Sequence, residues 1–228
     1  MPSFLLLGDS YTLGAHSEGS DHTYGLSLKR SLATTPPSPG AWVEGDIEIV
    51  VEGQRGDVVV SADSNDGFMG RLQKRLETAL RPFDWVILLG GTNDIEDSAK
   101  SAESIAAALK ALYQTALAHH EETKVLALSV LDYPEAHLWP EMKVPEKRVQ
   151  LNNLIRDTIA GPLLPPGRAI FFDIAARIPP HESDGQTLTK WYDEDGTHLT
   201  VEGYDLMGEL IAEEIRKLAG GGQTTETS

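Results

Sequence analysis

The sequence predicts an α/β protein built on a doubly wound parallel sheet, and three observations carry that prediction. Five short apolar runs are nearly continuous rather than alternating, the pattern of parallel strands covered on both faces. The segments between them repeat apolar residues at helical spacing, so each lays one stripe on a sheet. The two kinds of segment alternate, which implies right-handed crossovers and ligands beyond the C-terminal ends of the strands.

The first run, Ser3 to Leu7, is shorter than the apolar core of a secretory signal and has no basic residue before it, so it reads as a strand. The others are Ile47 to Val51, Trp85 to Leu89, Lys124 to Ser129 and Ala169 to Phe172. Helical stripes follow through Phe68, Leu72, Leu76 and Leu80, then Ile105, Leu109, Leu112 and Ala116. Two more run through Val149, Leu154, Ile155 and Ile159, and through Leu206, Leu210, Ile211, Ile215 and Leu218. Pro and Gly cluster at 34–40, 160–167 and 177–185, which marks loops rather than domain boundaries. One domain over 1–219 is therefore expected, with 220–228, which has no apolar residue, as a frayed tail.

A chain of 228 residues can bury a sizeable core. Its 19 basic and 35 acidic residues give a formal charge of −16, which repels phosphate backbones and anionic lipid surfaces and argues against a nucleic-acid partner. The absence of cysteine excludes disulfides, thiolate catalysis and Cys-ligated zinc. No run approaches the roughly 18 apolar residues of a membrane span, so the expectation is a soluble protein without membrane insertion, the cytoplasm favoured. Nothing in the sequence sets an oligomeric state.

Four turns converge at the C-terminal edge of the predicted sheet: Gly8-Asp9-Ser10, the segment 52–57, the segment 89–94, and the segment 193–200 before the last helix. Acyl transfer needs a nucleophile, a base, a group that orients the base, and donors for the oxyanion. Ser10, His198, Asp195, and backbone N–H groups with the Asn93 amide meet that requirement. Asp195 stands three residues before His198, so one loop can deliver acid and base together; Asp193, five residues before, is its rival. On average residue usage a Gly-Asp-Ser tripeptide arises by chance in roughly one chain in twenty of this length, and an Asp-x-x-His pair in about one in four. Placement at successive strand ends is therefore what gives them weight.

Each residue also has a structural reading. Ser10, Asp195 and Thr197 can cap helices, and Asn93 with Asp94 can turn the chain and cap the next one. His119 and His120 suit a helix C-terminus, and His16, His22, His137 and His181 fall in surface loops. Tyr133, Trp139 and Trp191 lie in loops opening toward the same edge and are candidates for a substrate pocket or for loop packing.

The four segments "GDSYT", "GQRGD", "GGTND" and "DGTH" resemble, in order and spacing, the four blocks of the SGNH hydrolases, the GDSL esterase and lipase family, from Gly8 to His198. The resemblance implies a flavodoxin-like three-layer α/β/α sandwich with a five-stranded parallel sheet, and hydrolysis of small-molecule esters by serine without metal or cofactor. Carried onto this chain it makes Ser10 the nucleophile, Asp195 and His198 its triad partners, and the Ser10 and Gly56 backbones with the Asn93 side chain the oxyanion donors. Gly56 is chosen over Gly53 because Asp57 follows it. Tyr11 stands where the family name has leucine, a departure that bears on local packing. The expected substrates are small short-acyl or acetyl esters. Acetylated carbohydrates, thioesters and lysophospholipids are alternatives within the family, and a flavodoxin-like ligand-binding module is the alternative outside enzymes.

Overall fold

The computed structural model describes residues 1–17, 19–33, 42–61, 67–138, 140–180 and 190–220. The loop expected at 34–40, His181 and Trp139 lie outside them, as does 221–228. The strands are β1 (Ser3–Gly8), β2 (Glu48–Gly53), β3 (Trp85–Leu89), β4 (Lys124–Leu128) and β5 (Ala169–Phe172). All pair in parallel in the order β2-β1-β3-β4-β5, the flavodoxin-like arrangement. β1 and β3 are buried throughout, whereas β2 and β5, at the edges, are half-buried along most of their length.

Register decides where the strand ends fall. Gly8 pairs with both Gly53 of β2 and Leu89 of β3, so three neighbouring strands end at one level. That level is crowded. A Cβ on Gly8 would stand 1.9 Å from Thr12 Oγ1 and 2.8 Å from the Leu89 carbonyl, and one on Gly53 would stand 2.2 Å from Leu13 N. Both glycines answer to close approach rather than to an unusual φ.

The helices are α1 (Ser10–Leu13), α2 (Gly25–Ala33), α3 (Phe68–Thr78), α4 (Thr92–Glu96), α5 (Ala102–His119), α6 (Val144–Ala160) and α7 (Val201–Gly220). α2 packs on α7, while α5 packs on both α3 and α6. With right-handed crossovers these two sets cover opposite faces of the sheet and make three layers. No helix among the described residues is long and apolar enough to cross a membrane.

Several details depart from the sequence expectations. α3 ends at Thr78, because Ala79 turns to extended backbone, and this leaves Leu80 fully exposed. In α6 the buried positions are Val144, Leu151, Asn152 and Ile155, and Val149 faces solvent. α7 runs through Gly220, one residue past the expected domain end. α2 has no counterpart among the predicted helices. Its buried face includes Gly25 and Ser27 beside Leu28 and Leu32, so small residues rather than an apolar stripe set its packing. Gly208 of α7 meets that face so closely that a Cβ would lie 2.1 Å from Ser27 Oγ and 2.4 Å from the Tyr24 carbonyl.

Alanine normally favours a helix interior over glycine by about 1 kcal/mol. At Gly208 the overlap with α2 reverses the sign. Gly208→Ala is expected to destabilise the protein by about 1–3 kcal/mol in urea denaturation. A stability equal to or above wild type would contradict this packing.

Candidate active site

The turn after β1 places Ser10 at the first position of α1. The cap is Asp9, whose Oδ1 accepts the Tyr11 N–H at 3.0 Å, so the Ser10 hydroxyl is not spent on capping. Ser10 is nearly buried, and its Oγ lies 2.9 Å from His198 Nε2. His198 Nδ1 lies 2.6 Å from Asp195 Oδ2. An ionised carboxylate can only accept, so Nδ1 carries the proton and Nε2 offers its lone pair to the serine hydroxyl. Burial opposes ionisation of Asp195, but hydrogen bonds from the His198 ring and from the backbone N–H groups of His198 and Thr197 outweigh it and hold the carboxyl below its ordinary range. Asp193, the rival, instead accepts the Ser17 N–H at 2.5 Å and the Ser17 hydroxyl at 2.6 Å.

Asp195 and His198 sit on a tight loop closed by an antiparallel bridge between Tyr192 and Leu199, just before α7. The Asp193 N–H donates to the His198 carbonyl at 2.9 Å, and Gly196 takes the left-handed conformation at φ 73°. Four ties moor the loop. The single Tyr192 O–H is shared between the carbonyls of Asp132 and Ile178, whose oxygens lie 2.6 and 2.8 Å from Oη. Thr197 Oγ1 donates to Glu135 Oε2 at 2.6 Å, and the Glu135 N–H donates to the Gly196 carbonyl at 2.9 Å. The Ser17 contacts are the third. The fourth is Tyr11, whose hydroxyl donates to the Thr197 carbonyl while its ring lies 5.7 Å from that of His198. Burial pushes the Tyr11 phenol well above its ordinary pKa, so it stays a donor. The sequence assigned Tyr11 only to packing; a phenol in place of an aliphatic side chain is the signal that it could form this tie.

The turns after β2 and β3 complete the edge. Gly56 has φ 68°, and a Cβ there would meet no atom within 4 Å, so conformation and not space calls for glycine. Among the described residues its N–H has no acceptor. Gly53 is the last residue of β2, pressed against Leu13. Asn93 Nδ2 donates to the Asp57 carbonyl at 2.8 Å, which orients the amide and leaves its second N–H for another acceptor. Asp94 is not a helix cap: buried in α4, it accepts the N–H groups of Val59 and Val60 and pairs with Lys100, binding the turn after β2 to α4.

A cavity of about 220 Å³ is lined by Glu96, Tyr133, Glu135, Ala136, Met142 and Val144. Two of its lining residues lead back toward the site: Glu96 stands one helical turn from Asn93, and Glu135 holds Thr197. Tyr133 is buried, with its hydroxyl donating to Glu96 at 2.6 Å. Trp191 does not line this cavity; it packs against the core, with Lys190 over its ring. A larger cavity of about 650 Å³ opens at the opposite edge around Pro2, Trp42, Asp84 and Lys124, where the strands begin, and holds none of these groups.

Residues 6–206 match the profile of the GDSL-like lipase/acylhydrolase family. A comparison with curated proteins gave no match. Among solved structures, an aryl esterase from M. smegmatis is similar at 22% identity and a TM-score of 0.67, over 96% of this chain and 100% of that one. A carbohydrate acetylesterase from Sinorhizobium meliloti gives the same identity, score and coverage. A lipase/acylhydrolase from Enterococcus faecalis is similar at 20% identity and a TM-score of 0.67, over 95% of this chain and 96% of that one.

Burial raises the Asp9 carboxyl from an ordinary value of 3.8 to about 6, even though the Tyr11 N–H, the Thr92 hydroxyl and His198 favour its ionised form. Below about pH 3 the group is neutral both folded and unfolded. As pH rises to about 6 only the unfolded chain has lost the proton, so folding loses stability through that window and does not regain it above. Asp9→Asn, which keeps the oxygen that accepts the Tyr11 N–H, is therefore expected to gain on the order of 3 kcal/mol over wild type at pH 8 and only about half a kcal/mol at pH 4. Urea denaturation at the two pH values checks this; a margin independent of pH would contradict it.

Proposed function

The chain belongs to the GDSL-like lipase/acylhydrolase family, and on that premise we propose that it is a serine esterase that hydrolyses carboxylic esters through an acyl-enzyme on Ser10. The observation that carries this reading is the unbroken hydrogen-bond relay from Asp195 through His198 to Ser10. A seryl hydroxyl is a weak nucleophile until an imidazole accepts its proton.

In this mechanism His198 Nε2 takes the Ser10 proton as Oγ bonds to the ester carbonyl carbon. The carbonyl oxygen becomes an oxyanion, held by the N–H groups of Ser10 and Gly56 and by the Asn93 amide. His198 then passes its proton to the alcohol oxygen as that bond breaks, which leaves the acyl group on Ser10. Water attacks the acyl-enzyme while His198 accepts its proton, and the second intermediate collapses by returning that proton to Ser10. The carboxylate of Asp195 stabilises the imidazolium at both stages.

The substrate class rests on size. A cavity of about 220 Å³, joined to the relay's loop through the Glu135–Thr197 hydrogen bond, suits a short acyl group or a small alcohol better than a long lipid chain. An aryl esterase and a carbohydrate acetylesterase share this fold. We therefore favour small short-acyl or acetyl esters, with acetylated carbohydrates as the second choice.

A fluorophosphonate is expected to label the wild-type protein and not Ser10→Ala. Asn93→Ala should fold normally and lose about a hundred- to a thousandfold in kcat on p-nitrophenyl acetate. Absence of labelling in wild type would sink the serine mechanism in favour of a ligand-binding module, and full turnover by Asn93→Ala would remove Asn93 from it. Along a p-nitrophenyl ester series the rate should fall as the acyl chain lengthens.

A further inference from the structure

We propose that Arg71, which lies outside the four motif segments, is a positioning residue for the oxyanion donors; this rests on the esterase reading above. Arg71 stands on α3 three residues after Phe68 and one before Leu72, within the stripe that faces the sheet. Its side chain is only 12% exposed, and its guanidinium lies 5.0 Å from the centre of the Phe68 ring. Nη1 donates to the Glu52 carbonyl at 2.5 Å. Nη2 donates to the Gly8 carbonyl at 3.0 Å and to Asp57 Oδ2 at 2.5 Å.

One planar group thus joins the end of β1, the end of β2 and the residue that follows Gly56. Asp57 extends the link to the third turn, because its carbonyl accepts the Asn93 amide. All three proposed donors, Ser10 N–H, Gly56 N–H and Asn93 Nδ2, therefore sit within a few bonds of one guanidinium. Packing cannot do this work at Gly56, where a Cβ would touch nothing within 4 Å. Hydrogen bonds must hold the turn instead: Asp94 takes its far side through Val59 and Val60, and Arg71 takes its near side through Asp57. A lysine in this place would offer a point charge in place of a fork that reaches three acceptors on three segments.

The geometry also supplies a test. A cavity of about 410 Å³ lined by Glu52, Gln54, Arg71, Lys74 and Arg75 opens this place to solvent, so free guanidinium can enter when the side chain is removed. Wild type, Arg71→Ala, Arg71→Lys and Ser10→Ala are compared on p-nitrophenyl acetate. The expected result for Arg71→Ala is a kcat lower by about ten- to a hundredfold with KM within about twofold of wild type. Arg71→Lys should recover little of it. Millimolar guanidinium should restore part of the kcat of Arg71→Ala and leave wild type and Ser10→Ala unmoved. A residue that only supports the fold would lower the melting temperature without a guanidinium-dependent kcat.

Wild-type kcat in folded Arg71→Ala overturns the proposal, and so does a deficit that guanidinium does not relieve. If Arg71→Ala fails to fold, Arg71→Lys decides: a lowered kcat at unchanged KM supports the proposal, and wild-type kcat overturns it. A wild-type protein inert toward esters brings down the esterase reading and this proposal together. With an active wild type and an inactive Ser10→Ala the esterase reading stands, and the Arg71 variants then decide the role of Arg71 alone.

Discussion

The register that stands Gly8 level with Gly53 and Leu89 is the constraint on which the rest of the site depends. Parallel pairing sends every strand end to the same edge, and the crossover helices return the chain to the other. Three turns then emerge side by side with no further adjustment. The crowding at that level leaves no room for side chains at Gly8 or Gly53, so the turns start from fixed backbone. Preorganisation of this kind is what the proposed oxyanion donors require, because donors that must reorient during reaction lose most of their value.

His198 arrives from much farther along the chain. His198 follows Ser10 by 188 residues, and sheet register does not reach its loop. Ties to Tyr11, Ser17, Glu135 and the segment around Asp132 take its place. Tyr11 is the shortest of these connections in structural terms, since it follows Ser10 directly and holds the carbonyl next to His198. Ser10 and His198 are thereby fixed to one another through adjacent residues on both sides. The buried Asp9 carboxyl is an energetic cost concentrated at the same turn. Such local cost is common where a site is built for chemistry rather than for stability.

Legibility of the sequence followed the strength of the local signal. Strands stood out because β1, β3 and β4 are buried on both faces and read as continuous apolar runs. α5 stood out because four apolar residues at helical spacing are all buried. α2 did not, because Gly25 and Ser27 pack by being small, and hydrophobic periodicity does not register smallness. Leu80 and Val149 erred in the opposite direction: they fit a period but lie beyond a helix end or on its outer face. Trp191 was placed by its loop, yet the loop turns it toward the core.

By itself the sequence determined the α/β class, the parallel sheet and the chemical types that a nucleophile, a base and a set of donors require, since these depend on periodicity and on residue identity. Only the tertiary structure decided that Asp195 and not Asp193 meets His198, that Asp9 and not Ser10 caps α1, and that Asp94 binds a neighbouring turn. It alone brought Arg71 and Glu135 to the edge of the site. The physical reason is range. Local patterns report how a segment folds and which face it buries. Which of two nearby carboxylates points at an imidazole, or which arginine reaches a distant turn, depends on distances between segments that no local pattern encodes.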